Sequence, residues 1–210
     1  MCELPHAQNS KDAAVVQETI AVVIPSLIGR HKYLSEALES IKNQKLPIDQ
    51  VHVEFDMTGL GAGPTRTRAA RRSTATWTTF LDDDDQFMPH HTDHLLYLAK
   101  ATGADFVWSW FQVVGGTDPF PMNRGKTYTK DEPIIIPMPY MVRTDLLQAA
   151  IEQTGGWQPD PDDTGNWFVQ DAPVVNAIWD LGGKFECSHE ATWLWRHHAS
   201  NTSGSPKRVR

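Results

Sequence analysis

The 210-residue sequence predicts an α/β fold on a mixed, mostly parallel central sheet with flanking helices, and three observations predict it. Ile20 to Pro25 is a short continuous apolar run, the pattern of a buried strand. From His31 to Gln44, the residues Leu34, Ala37, Leu38 and Ile41 recur at i, i+3, i+4 and i+7, which is one face of a helix. Val51, Val53 and Phe55 then alternate with His52, Glu54 and Asp56, the two-residue period of a strand. Alternation of strand and helix through the first hundred residues favours parallel strands joined by helices.

The remaining elements follow in order. Gly59, Gly61 and Gly63 mark a turn, and Pro64 suits the first position of a helix that carries Arg66, Arg68, Arg71 and Arg72. Trp77 to Leu81 reads as a third strand, and Pro89 opens a helix that runs to about Lys100. Asp105 to Val114 is strand-like and aromatic. The stretch 115–133 is a long Gly/Pro-rich loop, a length typical of lids or binding loops. Ile134 to Ile136 reads as a short strand, and Thr144 as the cap of the next helix. After a second loop from Gly155 to Trp167, a helix begins near Ala172 and ends at Gly182-Gly183, and Phe185 to Trp195 supplies closing strands. Residues 1–18 read as a flexible arm and 204–210 as a basic tail, leaving a single domain over 19–203.

Bulk composition excludes several classes. Nineteen Lys and Arg against 26 Asp and Glu give a net charge of −7, the opposite of the balance that binds duplex nucleic acid. Two cysteines, Cys2 and Cys187, are no disulfide framework and suit a reducing compartment. The first residues lack the apolar core of a secretory signal. The longest apolar run, IAVVIP, falls far short of the ~20 residues that span a bilayer. These features lead us to expect a cytoplasmic protein without a transmembrane segment.

The segment WTTFLDDDDQ, Trp77 to Gln86, poses the functional question. Each adjacent pair of aspartates costs on the order of 1 kcal/mol in water at ~4 Å separation. Either water solvates Asp82, Asp83, Asp84 and Asp85, or a cation belongs there. In open α/β sheets ligands bind beyond the carboxyl ends of the strands, and Asp56 and the Asp82–Asp85 run both sit at such ends. That placement favours the cation. In an extended stretch Asp82 and Asp84 share one side.

Four segments, in order, resemble family 2 glycosyltransferases: IAVVIPSLIGR with its following helix, GPTRTRAARRSTATWTTFLDDDD, WFVQDAPVVNAIWDLGGKF and WLWRHHASNTS. The likeness covers about residues 20 to 203. It departs from the family at Ser26-Leu27-Ile28, at Asp56-Met57-Thr58-Gly59, and at Gln170-Asp171, where Glu-Asp is usual. The resemblance implies a GT-A fold, with a Rossmann-like nucleotide-sugar half over about 19–100 and an acceptor half over 101–203. It implies metal-dependent, inverting transfer of a sugar from a nucleotide-sugar, with a UDP-sugar favoured, to an acceptor hydroxyl.

By position in that pattern, Pro25, Ser26 and Asp56 contact the nucleoside, and Arg66 faces the diphosphate. Asp82, Asp83 and Asp84 fall in the motif that holds donor and ion. Asp82, Asp84 and His198 are the expected ligands of Mn²⁺ or Mg²⁺. Asp171 is the expected base, and Gln170 and Trp157 line the acceptor side. The chemistry suits these residues. A leaving nucleoside diphosphate gains negative charge, which a divalent cation stabilises as a Lewis acid, and oxygen ligands with one imidazole suit Mn²⁺ or Mg²⁺. From the residues alone, Asp171 before Pro173 reads first as a helix cap, and only the resemblance favours the base. Arg71 and Arg72 read as a solvated face, and the three glycines as a simple turn.

Three rival readings remain at this level. His90, His94, His197 and His198 could form a zinc hydrolase or metal-binding module. Asp160 to Gly165 echoes a calcium loop, with Asp171 at its twelfth position. A degenerate fold could bind sugar without transfer.

Overall fold

The computed structural model describes residues 18–159 and 170–198. The N-terminal arm up to residue 17, the Asp160–Gly165 segment, Trp167 and the basic tail fall outside those residues.

Seven strands among the described residues are β1 (Ile20–Ser26), β2 (Gln50–Phe55), β3 (Trp77–Phe80), β4 (Gln86–Phe87), β5 (Phe106–Val114), β6 (Tyr140–Arg143) and β7 (Phe185–Arg196). They form one sheet in the order β2-β1-β3-β6-β5-β7-β4. β1 runs parallel to β2 and β3, and β5 runs parallel to β7. β6 lies antiparallel between β3 and β5, and β4 antiparallel to β7. Two reversals across β6 restore direction, so β1, β2, β3, β5 and β7 all end at the same edge of the sheet. That shared edge positions everything described below.

Helices α1 (His31–Lys42), α2 (Ala62–Ala70), α3 (His91–Thr102), α4 (Thr144–Thr154) and α5 (Ala172–Asp180) cover the sheet. Every residue of β1 is buried, because its neighbours take successive side chains to different cores. Val23 joins Trp108, Trp157 and helices α4 and α5, Val22 and Ile24 meet α1, and Ile20 meets α3. A strand covered on both faces reads as a continuous apolar run. In α1 the buried positions are Leu34, Ala37 and Ile41, while Leu38 lies at the margin with 37% exposure.

The structure corrects several expectations. Ile134 to Ile136 is not a strand. Pro133, Pro137 and Pro139 around it cannot donate to a ladder, and the pairing is made by β6 instead. Pro64 is the third residue of α2, a position whose N–H has no helical partner in any case. The helix expected from Pro89 begins at His91, after a turn, and β4 precedes it. Thr144 makes no capping bond; its hydroxyl pairs with Thr78 Oγ1 at 2.8 Å beneath β3. The loop after β5 is tied down rather than free. Trp110 donates to Asp118 at 2.7 Å, and Tyr128 is 1% exposed against the α5 core. Among the described residues, no helix is long and apolar enough to cross a membrane.

Helix α2 approaches the Gly155–Gln158 turn so closely that side chains are excluded. Gly156 has φ +89°, and a Cβ there would lie 2.4 Å from Thr67 Cγ2. Thr67 also accepts the Trp157 N–H at 2.9 Å. Gly156→Ala should therefore lower the urea-unfolding free energy by about 2 kcal/mol, with an unchanged far-ultraviolet dichroism spectrum in the folded state.

Candidate active site

The shared carboxyl edge of the sheet opens into a cleft of about 540 Å³, within the range of small-ligand pockets. β1 delivers Pro25 and Ser26, the segment after β2 delivers Asp56, and β3 delivers Asp82, Asp83 and Asp84. Gln170, just ahead of α5, and Trp195 of β7 complete the wall. Of the expected site residues, Pro25, Ser26, Asp56, Asp82, Asp83, Asp84 and Gln170 thus line a single cavity, with Arg66 and His198 bonded to its acids.

The four aspartates do not form an extended strand. Asp85 N–H donates to Asp82 O at 3.1 Å, closing a turn, so the alternation expected for Asp82 and Asp84 does not apply. Each carboxylate has a different surrounding. Asp83, with 4% of its side chain exposed, accepts from Ser26 Oγ at 2.7 Å, from Leu27 N at 3.2 Å and from Arg30 at 2.9 Å. Asp84 accepts from the same Arg30 nitrogen at 2.9 Å and lies 3.0 Å from His198 Nε2. Burial raises its pKa, the neighbouring Asp82 adds to the effect, and His198 and Arg30 oppose it. Asp85 accepts the Arg196 backbone N–H at 2.9 Å. Burial and the other two acids push its pKa well up, which favours the neutral form. Asp82 pairs with Arg66 at 2.9 Å and has 38% of its side chain exposed, making it the most accessible acid of the three ion-paired ones.

Arg66 reaches the cleft from inside α2 with only 4% of its side chain exposed. Burying a guanidinium is costly unless it is paired. Its partners are Asp82 on one side and Asp171, 3.7 Å away, on the other, with the Trp157 ring 5.9 Å from its centre. Asp171 stands at the N-cap position of α5, yet its side chain makes no capping bond. The carboxylate faces Arg66, not the helix amides. Burial raises its pKa to about 6; Arg66 pulls it down, Asp82 pushes it up, and the nearby Trp157 indole lowers it slightly. No hydrogen bond of normal geometry forms, however. Arg66 Nε, Tyr140 OH, Trp157 Nε1 and Asp171 Oδ1 are all buried without a hydrogen-bond partner among the described residues.

Other residues fall elsewhere than expected. Trp157 is 1% exposed in the main core, stacked edge-on to Phe80, so it forms the inner wall behind Asp171 and not an acceptor surface. Asp56 lines the cleft, but its carboxylate accepts from Thr58 N and Oγ1, Gly59 N, Leu60 N and Gly61 N. Although burial opposes it, these donors lower its pKa. Gly59 and Gly61, with φ +69° and +88°, shape that turn. Arg72 is exposed and pairs with Glu54, as a solvated helix face would. The four histidines do not converge. His90 and His94 meet Glu190, His198 meets Asp84, and His197 packs on Trp195. Among the described residues, no three His, Cys, Asp or Glu side chains are already grouped to hold an ion.

Arg30 and Asp85 join the site beyond the residues expected from the sequence. Arg30 follows β1 by four residues and so falls under the strand-end rule.

The raised pKa of Asp171 is also a statement about stability. Below about pH 4 the group is protonated whether folded or unfolded and contributes nothing. Between the ordinary value of 3.8 and about 6, the unfolded chain ionises first, so stability falls as pH rises. Above about 6 the full cost stands, on the order of 2–3 kcal/mol. Asp171→Asn should raise the unfolding midpoint at pH 7.5 and leave it nearly unchanged at pH 4, as measured by urea titration.

Known proteins share this architecture. The structure of S. aureus TarS 1–349 in complex with UDP-GlcNAc superposes with a TM-score of 0.72 at 14% identity, covering 90% of this chain and 61% of that one. The TarS 1–349 complex with UDP gives 0.64 at 15% identity, covering 85% and 60%. The longer S. aureus TarS structure gives 0.67 at 16% identity, covering 85% and 37%. At such identities the likeness is one of fold, and this chain spans about three fifths of the TarS 1–349 structures. A search of curated proteins finds no significant match. The family profile of glycosyl transferase family 2 matches residues 48–157, which is more than half of the chain and includes the Arg66 helix and the aspartate turn: the protein belongs to glycosyl transferase family 2.

Proposed function

We propose that the protein transfers a sugar, with inversion, from a nucleotide-sugar to an acceptor hydroxyl, with Asp171 as the base. The observation that carries this reading is the chain Asp82–Arg66–Asp171. One buried guanidinium joins an acid at the mouth of the cleft to a carboxylate freed from capping and raised to a pKa of about 6. A base works best when its pKa lies near the working pH. The family membership supports the reaction class, and the TarS structure with UDP-GlcNAc supports a UDP-sugar donor.

In this reading the diphosphate lies over Asp82 and Asp84, with Arg30 and Arg66 beside them. The acceptor oxygen attacks the sugar carbon from the Asp171 side. The new C–O bond forms as the bond to the phosphate oxygen breaks. The acceptor proton passes to Asp171, and the electron pair leaves with the nucleoside diphosphate. One displacement inverts the centre. Arg66 holds the base in place and offsets its charge, while the Trp157 wall keeps it out of bulk water.

Asp82, Asp84 and His198 fit a hard divalent cation, Mn²⁺ or Mg²⁺. Asp84 Oδ2 and His198 Nε2 are 3.0 Å apart at the cleft, and Asp82 is the most open of the three ion-paired acids. Such an ion would supply Lewis-acid stabilisation of the leaving diphosphate.

The test is a thermal-shift screen of nucleotide-sugars with and without Mn²⁺, followed by transfer assays with the donor that raises Tm. Asp171→Asn should cut transfer by about 10²- to 10⁴-fold while donor affinity changes little. Asp84→Ala should weaken metal and nucleotide binding together. Transfer at the normal rate by Asp171→Asn would refute the assignment of the base.

A further inference from the structure

We propose that Arg30 is a stand-in counter-ion that occupies Asp83 and Asp84 until a diphosphate arrives, and so couples metal binding to nucleotide binding. The inference rests on the reading of the cleft given above.

Two arginines neutralise the three acids that face the cleft, and they differ in freedom. Arg66 is almost wholly buried, fixed between Asp82 and Asp171 over an indole. Arg30 has 25% of its side chain exposed, lines the cavity, and extends from the residue that precedes α1. One of its nitrogens lies 2.9 Å from Asp83 Oδ1 and 2.9 Å from Asp84 Oδ2. It therefore bonds the same Asp84 oxygen that His198 approaches at 3.0 Å.

A divalent ion that took Asp84 would meet this guanidinium within a few ångström. Like charges at that distance repel by several kcal/mol in partly shielded surroundings, so the metal alone is disfavoured. A nucleoside diphosphate reverses the balance. Its phosphate oxygens match the bidentate fork of an arginine and draw Arg30 off the carboxylates. Asp83 loses little, since Ser26 Oγ and Leu27 N still bond it. Asp84 is then released from Arg30, with His198 Nε2 3.0 Å from the same oxygen.

Arg30→Met, assayed for Mn²⁺ by loss of the free-ion paramagnetic resonance signal, tests this directly. In the wild-type protein Mn²⁺ binds weakly alone and more tightly with UDP, and by linkage UDP binds more tightly with Mn²⁺. In Arg30→Met, Mn²⁺ alone should bind roughly tenfold tighter, UDP should bind more weakly, and the factor by which each ligand favours the other should shrink. Arg30→Lys keeps a charge without the fork and should shift Mn²⁺ affinity in the same direction by less. It carries the test should Arg30→Met not fold. If the wild type takes up Mn²⁺ with UDP but neither variant tightens Mn²⁺ alone, the role of Arg30 is overturned and the functional reading stands. If the wild type takes up no Mn²⁺ even with UDP, both fall.

Discussion

The buried guanidinium of Arg66 is the interaction on which the cleft depends. A charge with so little solvent access is offset by the Asp82 ion pair, with Asp171 on a second side and an aromatic face on a third. Those acids come from far apart in the chain, from the end of β3 and from the start of α5. Arg66 thereby ties the two sequence halves at one point. α2 can carry it inward because that helix buries Thr65, Thr67, Ala69 and Ala70, small residues that bring its axis close to β1 and β2.

The chain itself offsets the run of aspartates. Arg30, Arg66 and His198 contact three of them, and burial favours protonation of the fourth. Asp85 then serves as a clasp: by accepting the Arg196 N–H it pins the end of β7 to the turn and brings His198 into reach of Asp84. The four like residues divide into one open acid, one shared acid, one anchored acid and one structural acid.

Much of this was legible in the sequence. The apolar run of β1, the alternation of β2 and the strand before the aspartates fix the half of the sheet that delivers Pro25, Asp56 and Asp82. The second half was less legible. β6 hides behind a richer apolar stretch, Ile134–Ile136, which prolines exclude from the ladder. The 12-residue strand β7 mixes facing patterns because β-bulges shift its register against Trp108 and Trp110. Side-chain pairing was hidden for a different reason. No local pattern states that Asp56 will turn back on its own loop, that Trp157 will lie behind the base, or that Arg30 will bridge two acids. The Arg30 bridge depends on acids more than 50 positions away, and the Asp56 turn on which of several nearby amides the folded loop presents.

The Asp56 carboxylate gathers five donors from a stretch of only a few residues. That portion of the cleft is a mould set before anything is poured into it. A guest settling there meets a floor whose disorder was surrendered during folding, so little entropy is lost at the moment of capture.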